Sequence, residues 1–469
     1  MINARSLGSP EFRADYGLKY AYVAGAMYKG IASKELVVAM GNAGLIGYLG
    51  TGGLGLDEIE SSIRYIQSEL SNAPGGSYGM NLLSNPEAPD QEERTVDLYL
   101  RYGIRCVEAA AFIRITPALV RYRVKGIRPD PEMGAVPAHR VLAKVSRPEV
   151  ASAFMQPPPD SALRDLVAAG RITPREAELA GLVPMADDVC VEADSGGHTD
   201  RGVAYALMPA MFALRDEMMA RYRYRRRIRI GAAGGIGAPA AAAAAFVMGA
   251  DFILTGSINQ CTREARTSDA VKALLQQIDV QDTAYAPAGD MFELGAKIQV
   301  VRRGLFFPAR ANRLHELYMR HGSLDEIDPT TRRQIEQKYF KRSFEQVWEE
   351  TRAYYAGTNP RKLGEIERSP KQKMAAVFRW YFAHTTRLAL DGIEDERFDY
   401  QIHCGPALGS FNRWVKGTDI EPWQNRHVAD IAERLMRGTA ELLTARFSAM
   451  NGGDAATGRG VASDPLSRR

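Results

Sequence analysis

The chain has 469 residues, 45% of them hydrophobic and 25% charged, with a net charge of only +4. This composition excludes a disordered chain, and so small a charge with no recognisable nucleic-acid module speaks against a DNA- or RNA-binding protein. No run reaches the roughly 20 apolar residues of a membrane span, no signal-peptide core opens the chain, and Cys106, Cys190, Cys261 and Cys404 lack metal-site spacing, so a cytoplasmic protein with no metal and no membrane partner is expected.

In chain order, Met1 to Phe12 (MINARSLGSPEF) reads as a leader left by cloning and is set outside the fold. Strand-like runs then follow at Leu18 to Gly25, Ser77 to Leu82, Ile104 to Ala109, Arg140 to Val145, Asp188 to Ala193, Ile228 to Ala233, Asp251 to Thr255 and Lys297 to Val301. Helix-like runs separate them. In DEIESSIRYIQSEL (Asp57 to Leu70), Ile59, Ile63, Ile66 and Leu70 form one stripe with Asp57 as N-cap; SALRDLVAAG and APAAAAAAFVMGA are similar. Eight alternations predict an α/β protein, a (β/α)8 TIM barrel over residues 13–303, with an open doubly wound sheet as the competing architecture. From 304 to 400 the sequence turns helical and aromatic, predicting a helical substrate or lid subdomain after the eighth strand. Residues 401–450 are read as a segment and helix packing back on the barrel, and 451–469 as a disordered tail.

Strand ends are where a parallel barrel keeps its chemistry. GTGGLG (Gly50 to Gly55) matches a dinucleotide fingerprint, but the strand after its helix ends in GMNLL with no acid for a ribose, so it reads as a flexible loop by the active-site mouth. Asn81, Glu108 and Lys144 stand at the next ends. A lysine there is ordinarily a surface snorkel; in a barrel mouth it can instead offset the pyrimidine side of a reduced flavin. VEADSGGHTD (Val191 to Asp200) brings Glu192 and Asp194 to the end of the fifth predicted strand, then Gly196 and Gly197 to let backbone lie over a flat ligand, then His198. RYRYRRRIRI (Arg221 to Ile230) carries six arginines, read first as a solvated helix end and second as a docking patch for an acidic partner. GAAGGIGAP (Gly231 to Pro239) and GADFILTGSINQ (Gly249 to Gln260) each put small residues between a strand and a helix start, where backbone N–H groups bind phosphate; two ordinary tight turns are the plain alternative.

Taken together, YVAGAMYKGIASKELVVAMGNAGLIGYLGTGGL (Tyr22 to Leu54), GMNLL, LAKVSRP, ADSGGH, AAGGIG and GADFILTGS resemble the FMN-dependent nitronate monooxygenase and enoyl-acyl-carrier-protein reductase superfamily. VEADSGGHTD, Asp290 to Tyr318 and Cys404 to Thr418 are most similar to its PfaD-like branch, the trans-acting enoyl reductases of polyketide and polyunsaturated fatty acid synthases. The resemblance covers residues 17 to about 447 and implies a TIM barrel holding FMN. It implies that Gly25, Ala26 and Met27 line one flavin face, that Asn81 and Lys144 hydrogen-bond the ring, and that Asp194 and Gly197 flank it. Gly234, Gly235, Gly256 and Ser257 would hold the phosphate, and His198 and Lys144 would be catalytic. The implied reaction is an NADPH-dependent, ping-pong reduction of an enoyl thioester on an acyl carrier protein, with synthase modules as partners and a homodimer allowed. Arg302, Arg303 and Arg310, QKYFKRSF (Gln337 to Phe344) and the Arg221 to Arg229 run are the carrier-docking expectations, against the plainer expectation that the aromatics pack their own core. The rival functions are a nitronate monooxygenase-type oxidase and a non-catalytic synthase scaffold.

Overall fold

Eight short parallel strands close into a barrel: β1 (Tyr22–Ala24), β2 (Ile46–Leu49), β3 (Gly79–Leu83), β4 (Cys106–Ala110), β5 (Arg140–Val145), β6 (Asp188–Glu192), β7 (Arg229–Ala233) and β8 (Phe252–Thr255), in the cyclic order β1-β8-β7-β6-β5-β4-β3-β2. The computed structural model describes residues 1–71, 76–84 and 89–450. The expected tail at 451–469 lies outside these. The chain divides into two units: Met1–Asp194 and Asp200–Arg266 with the segment from Ser410 onward, and Ser195–Thr199 with Thr267–Gly409. Among the described residues no helix is long and apolar enough to cross a membrane.

In the first unit the strands are buried along nearly their whole length, as barrel strands covered by helices must be, and they read as continuous apolar runs. Two expectations are corrected here. Ile46–Leu49 is a barrel strand, paired to both β1 and β3; four residues bracketed by glycines carry too little periodicity to announce a strand. Lys297–Val301, expected as the eighth barrel strand, belongs to the second unit. The turns at Gly234 and Gly256 therefore follow the seventh and eighth strands, and Glu192 ends the sixth. Gly55, without a side-chain bond, occupies the cap position of helix Leu56–Glu69, which puts Asp57 in the first turn; Ile59, Ile63 and Ile66 are buried as the stripe predicted.

The first twelve residues, expected outside the fold, pack into it. Ser9 Oγ accepts from Phe12 N–H at 3.1 Å and caps helix Pro10–Tyr16, and the Phe12 ring stacks on Phe252 at 4.3 Å between centroids. From the same helix Tyr16 donates to Asp188 at 2.6 Å, while Arg229 grips Asp188 through Nε at 2.5 Å and Nη2 at 3.0 Å and also reaches Asp15. Arg221 and Arg223, exposed at the end of helix Ala204–Tyr222, keep to the first reading of the arginine run, while its second half does not. Arg226 pairs with Asp15 and Arg227 with Asp251 at 2.8 Å, so it closes the N-terminal end of the barrel with charge pairs. The long helix Val428–Met450 packs on Pro239–Val247 and Lys34–Asn42.

The second unit is more than the expected bundle of helices. Thr283–Pro287, Lys297–Val301 and Gly197–His198 form a three-stranded antiparallel sheet, with Ile298 opposite His198. Helices Phe307–Arg320, Phe344–Thr358 and Pro370–Asp391 then enclose an aromatic core of Phe292, Phe307, Phe340, Phe378, Tyr381 and Phe382. These rings serve packing, as the plainer expectation held. Arg310, expected at a docking surface, is tied to Asp399, which also accepts from Tyr381 at 2.8 Å; Arg303 pairs with Asp282 at 3.2 Å and Arg302 is exposed.

Candidate active site

On adjacent strands stand Glu108, at the middle of β4, Lys144, near the C-terminal end of β5, and Glu192, the last residue of β6. Lys144 Nζ is 3.5 Å from Glu108 Oε1 and 3.7 Å from Glu192 Oε1. Glu108 also accepts from the Ala26 N–H at 2.9 Å. Since β1 and β4 are not neighbours in the barrel, this bond runs across its interior. Burial pushes the fully enclosed Glu108 carboxyl above its ordinary value, against the pull of Lys144 and the Ala26 N–H. For Lys144 burial works against the charge, but Glu192 and Glu108 outweigh it and its pKa is raised. Lys144 is therefore a held cation, not a surface snorkel, with 18% of its side chain exposed.

The turn after β1 is built around close backbone contact. Gly25 N–H donates to Thr255 O at 3.0 Å, and a Cβ on Gly50 would stand 1.7 Å from Met27 O, so the first glycine of GTGGLG is demanded by the Gly25–Ala26–Met27 turn. Gly30 N–H to Gly50 O and Lys29 N–H to Gly52 O, both 2.8 Å, tie that loop down. Asn81 is buried; its Nδ2 donates to Glu108 O at 2.9 Å, while its own carbonyl accepts from Tyr99 at 2.6 Å and Thr51 at 2.7 Å. Asp194 N–H donates to Gly202 O at 2.9 Å.

After β7, Gly234 and Gly235 take φ of +87° and +74°, and a Cβ on Gly234 would meet Ala193 O at 2.6 Å, whereas the space beside Gly235 is open. Helix Pro239–Val247 follows without a side-chain cap. After β8, Gly256 also faces open space and Ser257 is half-buried. The first of these turns precedes an α-helix and the second a three-residue 3-10 turn, Asn259–Cys261; open backbone at a helix start is the geometry that takes an anionic oxygen.

Gly197 and His198 are part of the second unit. A Cβ on Gly196 would stand 2.7 Å from Cys404 Cα and from Gly405 N, so Gly196 permits a backbone-to-backbone approach to Cys404–Gly405, while Gly197 takes a left-handed φ of +84°. His198 Nε2 lies 2.8 Å from Asp290 Oδ1. His403, bridged through its backbone to Val300, has its Nε2 2.7 Å from the Gln401 amide nitrogen. Burial first, then the charge of His198, push His403 down to about 4. Sequence reasoning did not single out Asp290 or His403. The only signal was that they open or adjoin the two branch-specific segments, Asp290 to Tyr318 and Cys404 to Thr418.

A family model for nitronate monooxygenase matches residues 13–291, more than half of the chain. The chain belongs to the nitronate monooxygenase family. Within this family of flavin-type oxidoreductases it falls in the PfaD-like branch of polyketide and polyunsaturated fatty acid synthases. It is 57% identical over 449 residues to the polyketide biosynthesis protein PksE of Bacillus subtilis, covering 96% of this chain and 58% of PksE. It is 42% identical over 420 residues to a polyunsaturated fatty acid synthase component of Thraustochytrium, covering 89% of this chain and 28% of that component. The chain thus spans little more than half, or less, of the curated relatives it matches. Among solved structures, the enoyl reductase domain of MlnA from the macrolactin cluster of Bacillus amyloliquefaciens superposes with a TM-score of 0.91 at 45% identity, over 95% of this chain and 100% of that domain. A second model, the inserted helical domain of acyl-carrier-protein S-malonyltransferase, matches residues 321–400, inside the second unit of this nitronate monooxygenase family member.

Proposed function

We propose that the chain is a trans-acting, FMN-dependent enoyl reductase that uses NADPH to saturate the 2,3 double bond of an enoyl thioester carried on an acyl carrier protein in polyketide or polyunsaturated fatty acid synthesis. The observation that carries the reading is the pair of glycine turns after β7 and β8, open beside Gly235 and Gly256, within a barrel that also holds the Lys144 cation. That cradle fits a phosphate, and the fit would fail if side chains filled it. When bound, FMN supplies two-electron reduction, drawing on NADPH. Gly234, Gly235, Gly256 and Ser257 would hold its phosphate, and the Gly25–Ala26–Met27 turn and Asn81 would border its ring.

The chain's own contribution is position and charge. Glu108 fixes the β1 turn through the Ala26 N–H and, with Glu192, keeps Lys144 charged at the barrel's C-terminal end. A fixed cation there costs no reorganisation when negative charge develops on the ring. Asp194 and Gly197 would flank the ring, and His198 would hold or deliver a proton at the substrate. Synthase modules and an acyl carrier protein are the partners, with Arg302 as the exposed cation of the docking segment.

Purified protein is expected to be yellow, and anaerobic mixing with NADPH to bleach it rapidly, with a crotonyl thioester restoring the colour. A nitronate monooxygenase, favoured by the family model over residues 13–291, would stay yellow with NADPH and bleach with a nitronate instead. A colourless protein that takes up no FMN would mark a scaffold.

A further inference from the structure

The strand Gly197–His198 and the loop between Thr283–Pro287 and Lys297–Val301 are parts of one three-stranded sheet. We infer that Asp290, on that loop, is a positioning residue for His198: it accepts the Nε2–H hydrogen bond and so makes Nδ1 the proton-accepting nitrogen of the neutral imidazole.

Three observations fix the pair. The His198 backbone is held by the register of Ile298 with His198 and Gln299 with Gly197, and the next residue, Thr199, donates N–H to Lys297 O at 3.1 Å. The Asp290 loop is closed by Ala288 N–H to Ala296 O at 2.8 Å and anchored by Phe292, which is fully buried against Phe378, Phe382 and His315. Between these two fixed supports Nε2 and Oδ1 meet at 2.8 Å.

The direction of the bond follows from the charge on Asp290. Burial would raise its carboxyl, but the hydrogen bond and charge of His198 outweigh it and hold it below the ordinary value. An ionised carboxylate only accepts, so Nε2 must donate and the lone pair of neutral His198 lies on Nδ1. Neighbouring charges come from the strand that carries Lys297 and from His403, whose Nδ1 lies 3.5 Å from where a Cβ on Gly197 would stand. His403 is pushed down to about 4 by burial first and then by the charge of His198, with Asp290 pulling the other way. The His198 and Asp290 side chains are 51% and 64% exposed, so the contact adds little to folding and acts through orientation.

The use of that nitrogen rests on the enoyl reductase reading: protonated His198 would pass its Nδ1 proton to the α-carbon of the reduced thioester's enolate and return to the Nε2–H form, recharged from solvent. The tautomer itself does not depend on the reading, and the experiment separates the two. In the full chain labelled with nitrogen-15 histidine, long-range proton–nitrogen correlation reads both ring nitrogens of all 7 histidines, and the signal lost in His198→Gln identifies His198. Neutral His198 is expected as the Nε2–H tautomer. In Asp290→Asn it becomes a mixture, and its titration midpoint falls by about half a pH unit. Asp290→Glu restores the wild-type pattern. An Nδ1–H tautomer in the wild type, or a His198 signal that Asp290→Asn leaves unchanged in tautomer and midpoint, overturns the inference. Absence of NADPH-dependent crotonyl thioester reduction by the wild type would sink the reductase reading and leave the tautomer result standing.

Discussion

The two ends of the barrel both bury charge, and they do it differently. At the N-terminal end Arg229 holds Asp188 in a two-pronged grip of 2.5 and 3.0 Å, with Tyr16 adding a third bond to the same carboxylate at 2.6 Å. At the C-terminal end Lys144 keeps 3.5 and 3.7 Å from its two carboxylates, and Glu108 Oε1 accepts no hydrogen bond among the described residues. The first cluster is saturated and sealed by Phe12; the second is enclosed but unsaturated. A parallel barrel separates stability from chemistry in this way, because its loops at one end only close it while those at the other shape a site. Unspent hydrogen-bonding capacity next to a held cation marks the end where a ligand's atoms can complete the network.

The comparison breaks most readily at Arg229. Arg229→Met keeps volume but takes from buried Asp188 the guanidinium that holds it, and is expected to cost about 3–5 kcal/mol in urea denaturation. A cost as small as that of a surface change would mean that the N-terminal cluster does not lock the barrel.

Glu108→Gln gives a smaller and sign-specific effect. Glu108 has a raised pKa, so the stability it contributes is complete below its unfolded value, near 4.5, and is lost as pH climbs through the raised value. Glutamine cannot ionise. The variant should therefore gain on wild type as pH rises above about 4.5, by on the order of 1 kcal/mol, in denaturation midpoints compared across a pH series. Parallel curves would place Glu108 with the saturated cluster. The same variant should bind FMN more weakly, as read by quenching of flavin fluorescence, because the Ala26 turn loses a charged acceptor.

Arg302→Ala sets the floor. In an exposed position of the second unit it should leave the denaturation midpoint within about 0.5 kcal/mol, while raising KM for a carrier-bound enoyl substrate and not for a small thioester. Equal kinetic losses on both substrates would remove the docking role.

Much of the site was legible because its residues sit at strand ends, and strand ends are announced locally. Gly234, Gly235, Gly256 and Lys144 each follow or end an apolar run, and the structure puts each of those runs in the barrel. Glu108 was visible only as a polar strand end; its reach to Ala26 depends on where β1 lies relative to β4, which no local pattern states. Asp290 was hidden for a related reason. Its partner is 92 residues away in sequence, and the sheet that joins them is antiparallel and outside the barrel.

Amino-acid order alone sets the alternation of strand and helix, the glycines where backbone must turn left-handed or pass close, and the family motifs along the chain. Those properties follow from each residue's own conformational range and from short-range periodicity. It took the folded chain to establish that Ile46–Leu49 and not Lys297–Val301 closes the barrel, that Phe12 packs on Phe252 in the barrel core, and that His198 faces Asp290. Barrel closure, core filling and charge pairing are contacts between distant segments, whose energies appear only once all partners are in place.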